Sequence, residues 1–538
     1  MRSTTTRAAI AVAAATAAAL SVGGLAPDQA GAPAKQPSLS AVAAAPDPEL
    51  TAALDDILDD PRLVGSMASL VVRDAATGET LYEQEPGRRL NPASNAKLFT
   101  STAALDTLGT DYTFVTDARA VGRIDRRSKT LRGDLYLHGG GDPTMLAEDY
   151  ADLASQLADR GIQRVSGDLL VDDSFFDEVP LGVAWSWDDE AYYYSGVTSA
   201  LTVSPDTDYD SGSVIVETSH GRRVGSPVTV GLVPQTSVVR INNLAKTGPA
   251  GSDNTLSVDR RHGSRVIDIT GSMPIDDGPS QDWATVPNPT AYAVDVFRQA
   301  LRAEDISIGA TRASGTPGYA RVIAAHESMS LADLLIPFMK LSNNMHAEAL
   351  VKTMGREVAD DGSWDAGLDV VAAYAEEQGV DTSVLRLSDG SGLSRFDLVS
   401  AQNVSDLLVG VRGEPWFDTW YDSLPIAGNP DRFVGGTLRS RMAGTPAAEN
   451  LHAKTGSLTS VTALSGYVSN ADGRALVFSM ISNNYLSSPR SLEDAVGITL
   501  ASWTEEDGGE VATVDVRDLR RTTTYGPAGI ECSWAKAC

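Results

Sequence analysis

From residue 51 onward the chain carries two kinds of hydrophobic pattern, one at helical spacing and one that alternates. TAALDDILDD, residues 51–60, repeats apolar positions at helical intervals. GSMASLVVRDAATGETLYEQEP, residues 65–86, sets two apolar runs on either side of D-A-A-T-G-E and predicts a hairpin. The next run, Leu98, Phe99 and the alanines of STAALDTL, predicts a helix beginning near Ser94. Between about residues 111 and 285 short alternating runs dominate: DLYLHGG, VSGDLLVDDS, SVIVETS, PVTVGLVP, TSVVRINN and SRVIDITGS. Turn residues separate them, and one helical stretch, LAEDYADLASQLADRG, interrupts. Helical spacing returns in AYAVDVFRQALRAEDI, in SLADLLIPFMKLSNNMHAEALVKTMG, read as one helix containing S-N-N, and in GLDVVAAYAEEQG. LTSVTALSGYVS and RALVFSMISNN predict adjacent antiparallel strands joined through N-A-D-G.

A hairpin and helix near the start, with helices and then strands near the end, predict one α+β domain interrupted by a strand-rich insert. Its parts are residues 49–110 and 286–505, the insert is residues 111–285, and residues 506–538 form a polar C-terminal extension. Residues 35–48 have the composition of a disordered lead-in. Residues 1–34 read as a signal peptide: Arg2 and Arg7 precede the apolar AAIAVAAATAAALSVGG, and small residues follow at 30–34. No cysteine lies nearby to carry a lipid, and no later stretch is long and apolar enough to span a membrane. The expectation is an exported protein, soluble or loosely held at the envelope.

With a length of 538 residues, more than one domain is expected. A formal charge of −28 argues against a nucleic-acid partner, which would need a concentrated positive surface. The two cysteines, Cys532 and Cys538, suit a terminal disulfide loop in an oxidising compartment. Two cysteines cannot make a zinc site alone, and no H-E-x-x-H accompanies the six histidines, so neither metal nor cofactor is expected. Asp206, Asp208, Asp210 and Glu217 echo a calcium loop. The glycine falls one place late and strands flank the stretch, so an Asp-rich turn is the reading preferred. The aromatic residues Trp185, Trp187, Tyr192, Tyr193 and Tyr194 are expected to pack between parts of the insert rather than to contact glycan.

The candidate chemistry begins in NPASNAKLFT. Ser94 stands three residues before Lys97, which on a helix places amine and hydroxyl on one face. Alone, this spacing occurs by chance in many proteins and favours a helix N-terminus over a nucleophile and its base. Two further elements change the balance: Ser342 and Asn344 in S-N-N, and Lys454-Thr455-Gly456 just before the C-terminal hairpin. Together they make the trio of penicillin-binding proteins and related β-lactamases. A serine hydroxyl needs a neutral base, so Lys97 must be relieved of its proton by burial or by a neighbouring cation such as Lys454. Ser342 can relay a proton to a leaving amine, and Asn344 can orient Lys97 and a substrate amide. Lys454 and Thr455 suit a carboxylate, Gly456 allows close approach of a strand, and the backbone N–H groups of Ser94 and Ser457 suit an oxyanion.

Beyond the trio, GDLYLHGGGDPTM, SGDLLVDDSFFD, WSWDDEAYYYSGVTSAL, DGSGLSR, LPIAG and GGTLRSRM extend the likeness over residues 50–500. The chain resembles the D-alanyl-D-alanine carboxypeptidase/endopeptidase family of class C low-molecular-mass penicillin-binding proteins, peptidase family S13. The resemblance implies a serine β-lactamase/transpeptidase-like domain whose strand-rich insert forms two smaller domains. It also implies a serine DD-peptidase that needs no cofactor, acts on peptidoglycan stem peptides, and is acylated by β-lactam antibiotics at Ser94. Lys97, Ser342, Asn344, Lys454, Thr455 and Gly456 take the family's motif positions, and Ser457 stands where threonine is frequent. A β-lactamase that clears the drug rapidly is the rival enzyme, and a wall-binding sensor the rival of another class.

Overall fold

The computed structural model describes residues 47–505 together with Val514, Leu519 and Lys536. The region read as a signal peptide and both cysteines lie outside the described residues, as does most of the C-terminal extension. The first helix, Pro48–Leu58, follows from an Asp47 cap whose carboxylate accepts the Glu49 and Leu50 N–H groups, with proline at the first position.

A five-stranded antiparallel sheet carries the fold, in the order His452–Leu458, Val461–Ser469, Ala475–Asn483, Met67–Asp74, Thr80–Gln84. The two ends of the chain therefore meet in one sheet, Met67 opposite Asn483 and Asp74 opposite Leu476. Strand alternation sorts its side chains into two cores. Val477 and Ile481 pack with Leu98, Phe99 and Phe338 on one face, while Leu476, Phe478 and Met480 pack with Leu50, Leu54, Leu492 and Val496 on the other. The first face receives the helices Ala96–Leu108, Leu331–Lys340, Asn344–Ala359 and Ala401–Gly410. The second is covered by Pro48–Leu58 and Arg490–Ser502.

A buried ionic cluster ties the last helix to the loop ahead of the edge strand. Arg441 donates to Asp494 Oδ1 at 2.7 Å and to Glu493 Oε2 at 2.9 Å, and both carboxylates have fully buried side chains. Burial raises Glu493 even against this guanidinium. Arg441→Met is expected to cost about 3–5 kcal/mol, because it removes the guanidinium that donates to two buried acids. Denaturant titration checks this, and a loss under about 1 kcal/mol would show that the cluster contributes little.

The insert is built on a second sheet, ordered Thr311–Ala313, Leu169–Asp172, Thr130–His138, Val115–Asp125, Arg321–Glu327, with Arg164–Val165 beside Thr130–His138. Three smaller sheets lie between residues 213 and 285. The helix Pro289–Ala303 packs Tyr292, Val296, Phe297 and Leu301 into the same core as Tyr150 and Leu153 of Ala147–Asp159. Ile323 and Ala324 belong to it as well, so the insert's core runs past residue 285, where the alternating pattern stops. The strand pattern could not indicate this, since an amphipathic helix does not record which layer its apolar face will cover.

Residues 330–355 form two helices, not the single one expected. The first, Leu331–Lys340, ends at Leu341, and Ser342 takes φ of 60°, in the left-handed region. The second starts at Asn344 with Asn343 as its cap residue. S-N-N is therefore a sharp turn between helices and not part of one helical face.

Candidate active site

Pro92 and the single helical turn Ala93–Asn95 lead into the helix Ala96–Leu108, so Ser94 precedes the regular helix by one residue. Lys97 lies in the first turn of that helix. Its amine sits 2.9 Å from Ser94 Oγ, and neither side chain has appreciable solvent exposure. It also donates to Asn344 Oδ1 at 2.6 Å and to the Ser391 carbonyl at 2.7 Å. The second element reaches the site because the turn at Ser342 directs two side chains to different partners. Asn344 holds Lys97 while its Nδ2 donates to the Tyr194 carbonyl at 2.6 Å, and Ser342 Oγ accepts from Lys454 Nζ at 2.8 Å. Asn343 turns away, donating to the Tyr209 carbonyl at 2.9 Å.

The third element lies on the outermost strand of the five-stranded sheet, His452–Leu458, which pairs on one side with Val461–Ser469. Lys454 also donates to the Thr455 carbonyl at 2.9 Å, and Thr455 Oγ1 donates to Thr437 Oγ1 at 2.8 Å. Gly456 has a steric reason that sequence did not reveal. A Cβ there would stand 2.7 Å from the Pro92 carbonyl oxygen and 3.2 Å from Ala93 Cβ. Absence of a side chain thus lets the strand lie directly against the turn bearing Ser94. The expected site residues Ser94, Lys97, Ser342, Asn344, Lys454, Thr455, Gly456 and Ser457 are thereby drawn into one buried cluster. What it offers chemically is a hydroxyl beside an amine, a second hydroxyl beside a second amine, and a strand edge between them.

Several members of the site escaped the sequence reading. The Ser391 carbonyl belongs to the loop D-G-S-G, residues 389–392, whose amides are gripped from the helix Asn344–Ala359. Glu348, fully buried, accepts the Gly390 N–H at 2.9 Å, the Ser391 N–H at 3.0 Å and the Trp364 indole N–H at 2.7 Å. Burial first, and then the nearby Asp389, push its carboxyl up to about 7. One available signal was its spacing, since Glu348 stands four residues after Asn344 and so shares its face of the helix. His346, on the same helix, donates from Nε2 to the Tyr209 carbonyl at 3.0 Å, and burial lowers it to about 3. It is neutral at physiological pH.

The aromatic residues divide by role. Tyr193 and Tyr194 are buried with Ala93, Leu393, Leu458 and Val461 against the Ser94 turn, and Tyr193 also meets Trp283 of the insert strand Ser280–Thr285. Trp185 donates its indole N–H to Asp389 at 2.8 Å, while Trp187 and Tyr192 are exposed. Asp206, Asp208 and Asp210 do bring carboxylate oxygens within 4.8 Å of one another. Asp208 pairs with Arg432, and Lys536 reaches Asp208 at 3.0 Å and Asp210 at 2.7 Å, supplying cations from the chain itself. Glu217 lies apart on the strand Ser213–Ser219, accepting from Gln281 Nε2 at 3.0 Å.

Residues 50–505 match the model of the D-Ala-D-Ala carboxypeptidase 3 (S13) family. The chain is 43% identical over 507 residues to a D-alanyl-D-alanine carboxypeptidase of Actinomadura sp. (strain R39), spanning 93% of each chain. It is 26% identical over 426 residues to the D-alanyl-D-alanine carboxypeptidase DacB of Haemophilus influenzae, covering 78% of this chain and 86% of that one. Among solved structures, penicillin binding protein 4 (dacB) from Haemophilus influenzae is similar with a TM-score of 0.71 at 25% identity, over 83% of this chain and 98% of the other.

Proposed function

The chain belongs to the D-Ala-D-Ala carboxypeptidase 3 (S13) family, and from that premise we propose that Ser94 is the nucleophile of a serine DD-peptidase. The protein is a serine-type D-Ala-D-Ala carboxypeptidase acting on the stem-peptide termini of peptidoglycan, and β-lactams inhibit it. The observation that carries the assignment of Ser94 is the 2.9 Å approach of the Lys97 amine to its hydroxyl, with both side chains buried.

In this reading Lys97, as a free amine, takes the hydroxyl proton while Ser94 Oγ bonds to the carbonyl carbon of the penultimate D-alanine. Charge moves onto the carbonyl oxygen, where the backbone N–H groups of Ser94 and Ser457 meet it. Asn344 Oδ1 and the Ser391 carbonyl hold the new ammonium. When the tetrahedral species collapses, its C–N bond breaks and a proton reaches the departing amine by way of Ser342, which the Lys454 ammonium orients. Lys454 and Thr455 receive the terminal carboxylate of the substrate. The outer edge of His452–Leu458 lets an extended peptide add as a further strand. Water then attacks the ester, Lys97 again accepting the proton, and Ser94 is restored. With a β-lactam the amine stays tethered to the acyl group, so the ester persists.

The same acylation on a crosslink would release a stem-peptide amine, and endopeptidase action is part of the proposal. Export directed by residues 1–34 is another part, since the substrate lies outside the cytoplasm. Among the described residues no helix is long and apolar enough to cross a membrane.

Incubation with benzylpenicillin, read by mass spectrometry, is expected to give one penicilloyl adduct on Ser94 and none in Ser94→Ala. Release of D-alanine from a muramyl pentapeptide should fall about a thousandfold or more in that variant. An adduct that survives Ser94→Ala would move the nucleophile elsewhere.

A further inference from the structure

Among the partners of Lys97 is a backbone carbonyl, and what stands behind it is a carboxylate. The Ser391–Gly392 peptide presents its carbonyl to Lys97 Nζ at 2.7 Å. The N–H of the same amide, pointing the opposite way, donates to Asp389 Oδ1 at 2.8 Å. A carboxylate on the N–H end draws electron density onto the carbonyl end, so its charge acts on the lysine through one polarised amide.

Asp389 is fully buried and its other oxygen accepts from the Ser394 N–H at 2.7 Å and the Trp185 indole at 2.8 Å. Its neighbour Asp397 is also fully buried, and Asp397 Oδ2 has no donor among the described residues. Burial and the negative charge of Asp389 push the Asp397 carboxyl far up. A proton on Asp397 lets it donate to Asp389. Glu348 clamps the two preceding amides of the loop, and Thr100 Oγ1, on the Lys97 helix, donates to the Gly390 carbonyl at 2.7 Å. The loop is thus pinned from both helices with the Ser391 carbonyl aimed at Lys97.

We propose that Asp389 is a positioning residue for the reaction: through the Ser391–Gly392 peptide it holds Lys97 against Ser94 and stabilises the ammonium formed when the serine proton is taken. The proposal rests on the reading of Ser94 and Lys97 as nucleophile and base. Other titratable or charged groups face Lys97 from every side. Glu348 and the neutral His346 stand on Asn344–Ala359, with Lys352 farther along and paired to Asp177. Asp397 is on the loop, and Lys454 lies beyond Ser342 on the edge strand. Asp389 is singled out because one amide bonds to both it and the lysine.

The test is the pH dependence of the second-order rate of acylation by benzylpenicillin, with folding checked by circular dichroism. In Asp389→Asn the ammonium loses a stabilising charge, so Lys97 gives up its proton at lower pH. The acid limb is expected to move down by about one pH unit, and the plateau to fall about tenfold. Trp185→Phe removes a hydrogen bond that shares the carboxylate's charge, and its limb is expected to move up by a few tenths of a unit. Asp397→Asn takes away no charge and should leave the limb in place. A folded Asp389→Asn that is slower with its limb unmoved reduces Asp389 to a structural role and overturns the proposal. Should Asp389→Asn not fold, the direction of the Trp185→Phe shift decides, and an unmoved or falling limb overturns it. Absence of any adduct on Ser94 in the unaltered protein would instead sink the underlying reading.

Discussion

Lys97→Met is expected to slow acylation by a chromogenic cephalosporin about a thousandfold or more while the protein still folds. Methionine matches the length and nearly the volume of the buried lysine stem, so the helix Ala96–Leu108 keeps its packing. What disappears is the group that accepts the serine proton. At neutral pH a serine hydroxyl without a base is a poor nucleophile. Lys454 does not substitute from where it stands, since it donates to Ser342 Oγ at 2.8 Å and to the Thr455 carbonyl at 2.9 Å. Stability is expected to change little. Asn344 Oδ1 and the Ser391 carbonyl lose a donor, at about 1–3 kcal/mol each, while the cost of burying an amine is removed with it. Stopped-flow acylation alongside thermal melting separates the two effects. A rate within tenfold of the unaltered protein in a folded variant would exclude Lys97 as the base.

Gly392→Ala is expected to damage both stability and activity, although it adds a single carbon. Gly392 takes φ of +87°, a conformation that L side chains adopt at a cost, and its Cβ would lie 1.9 Å from the carbonyl oxygen of Ala93. Ala93 is itself in a left-handed conformation, with φ of 45°, and it immediately precedes Ser94. Relief of the clash must therefore move either the turn carrying Ser94 or the loop carrying the Ser391 carbonyl. A displacement of about 1 Å in either costs about a hundredfold in rate, and the strain should lower stability by about 2–4 kcal/mol. Denaturant titration and acylation rate measure the two independently. Near-normal values for both would mean that the loop and the turn are free to separate. Gly456, whose Cβ would stand 2.7 Å from the Pro92 carbonyl, supports the same turn from the other side.

Much of this organisation was legible in the sequence because it is local. Alternation in RALVFSMISNN yields the strand Ala475–Asn483, with odd and even positions in different cores, since side chains on a strand alternate by geometry. Ser94 and Lys97 were legible as a pair because three residues of helix bring their side chains to one face. The three motifs were recognisable as side-chain identities. S-N-N was placed within a helix in error, for the apolar spacing continues across it, and only the left-handed backbone at Ser342 ends the first helix.

Sequence by itself therefore determined most of the helices and strands, though not the break at Ser342, together with the order of the three motifs and the spacing of Ser94 and Lys97. All of these depend on periodicity or on near neighbours. Tertiary structure alone brought distant acceptors to Lys97: Asn344, 247 residues away, and the Ser391 carbonyl, 294 residues away. It also decided that Asp389 and Glu348 would be buried behind that carbonyl rather than solvated. The physical reason is that a backbone carbonyl has no residue identity to read. The ionisation of a buried acid, likewise, is set by what folds around it, not by its place in the chain.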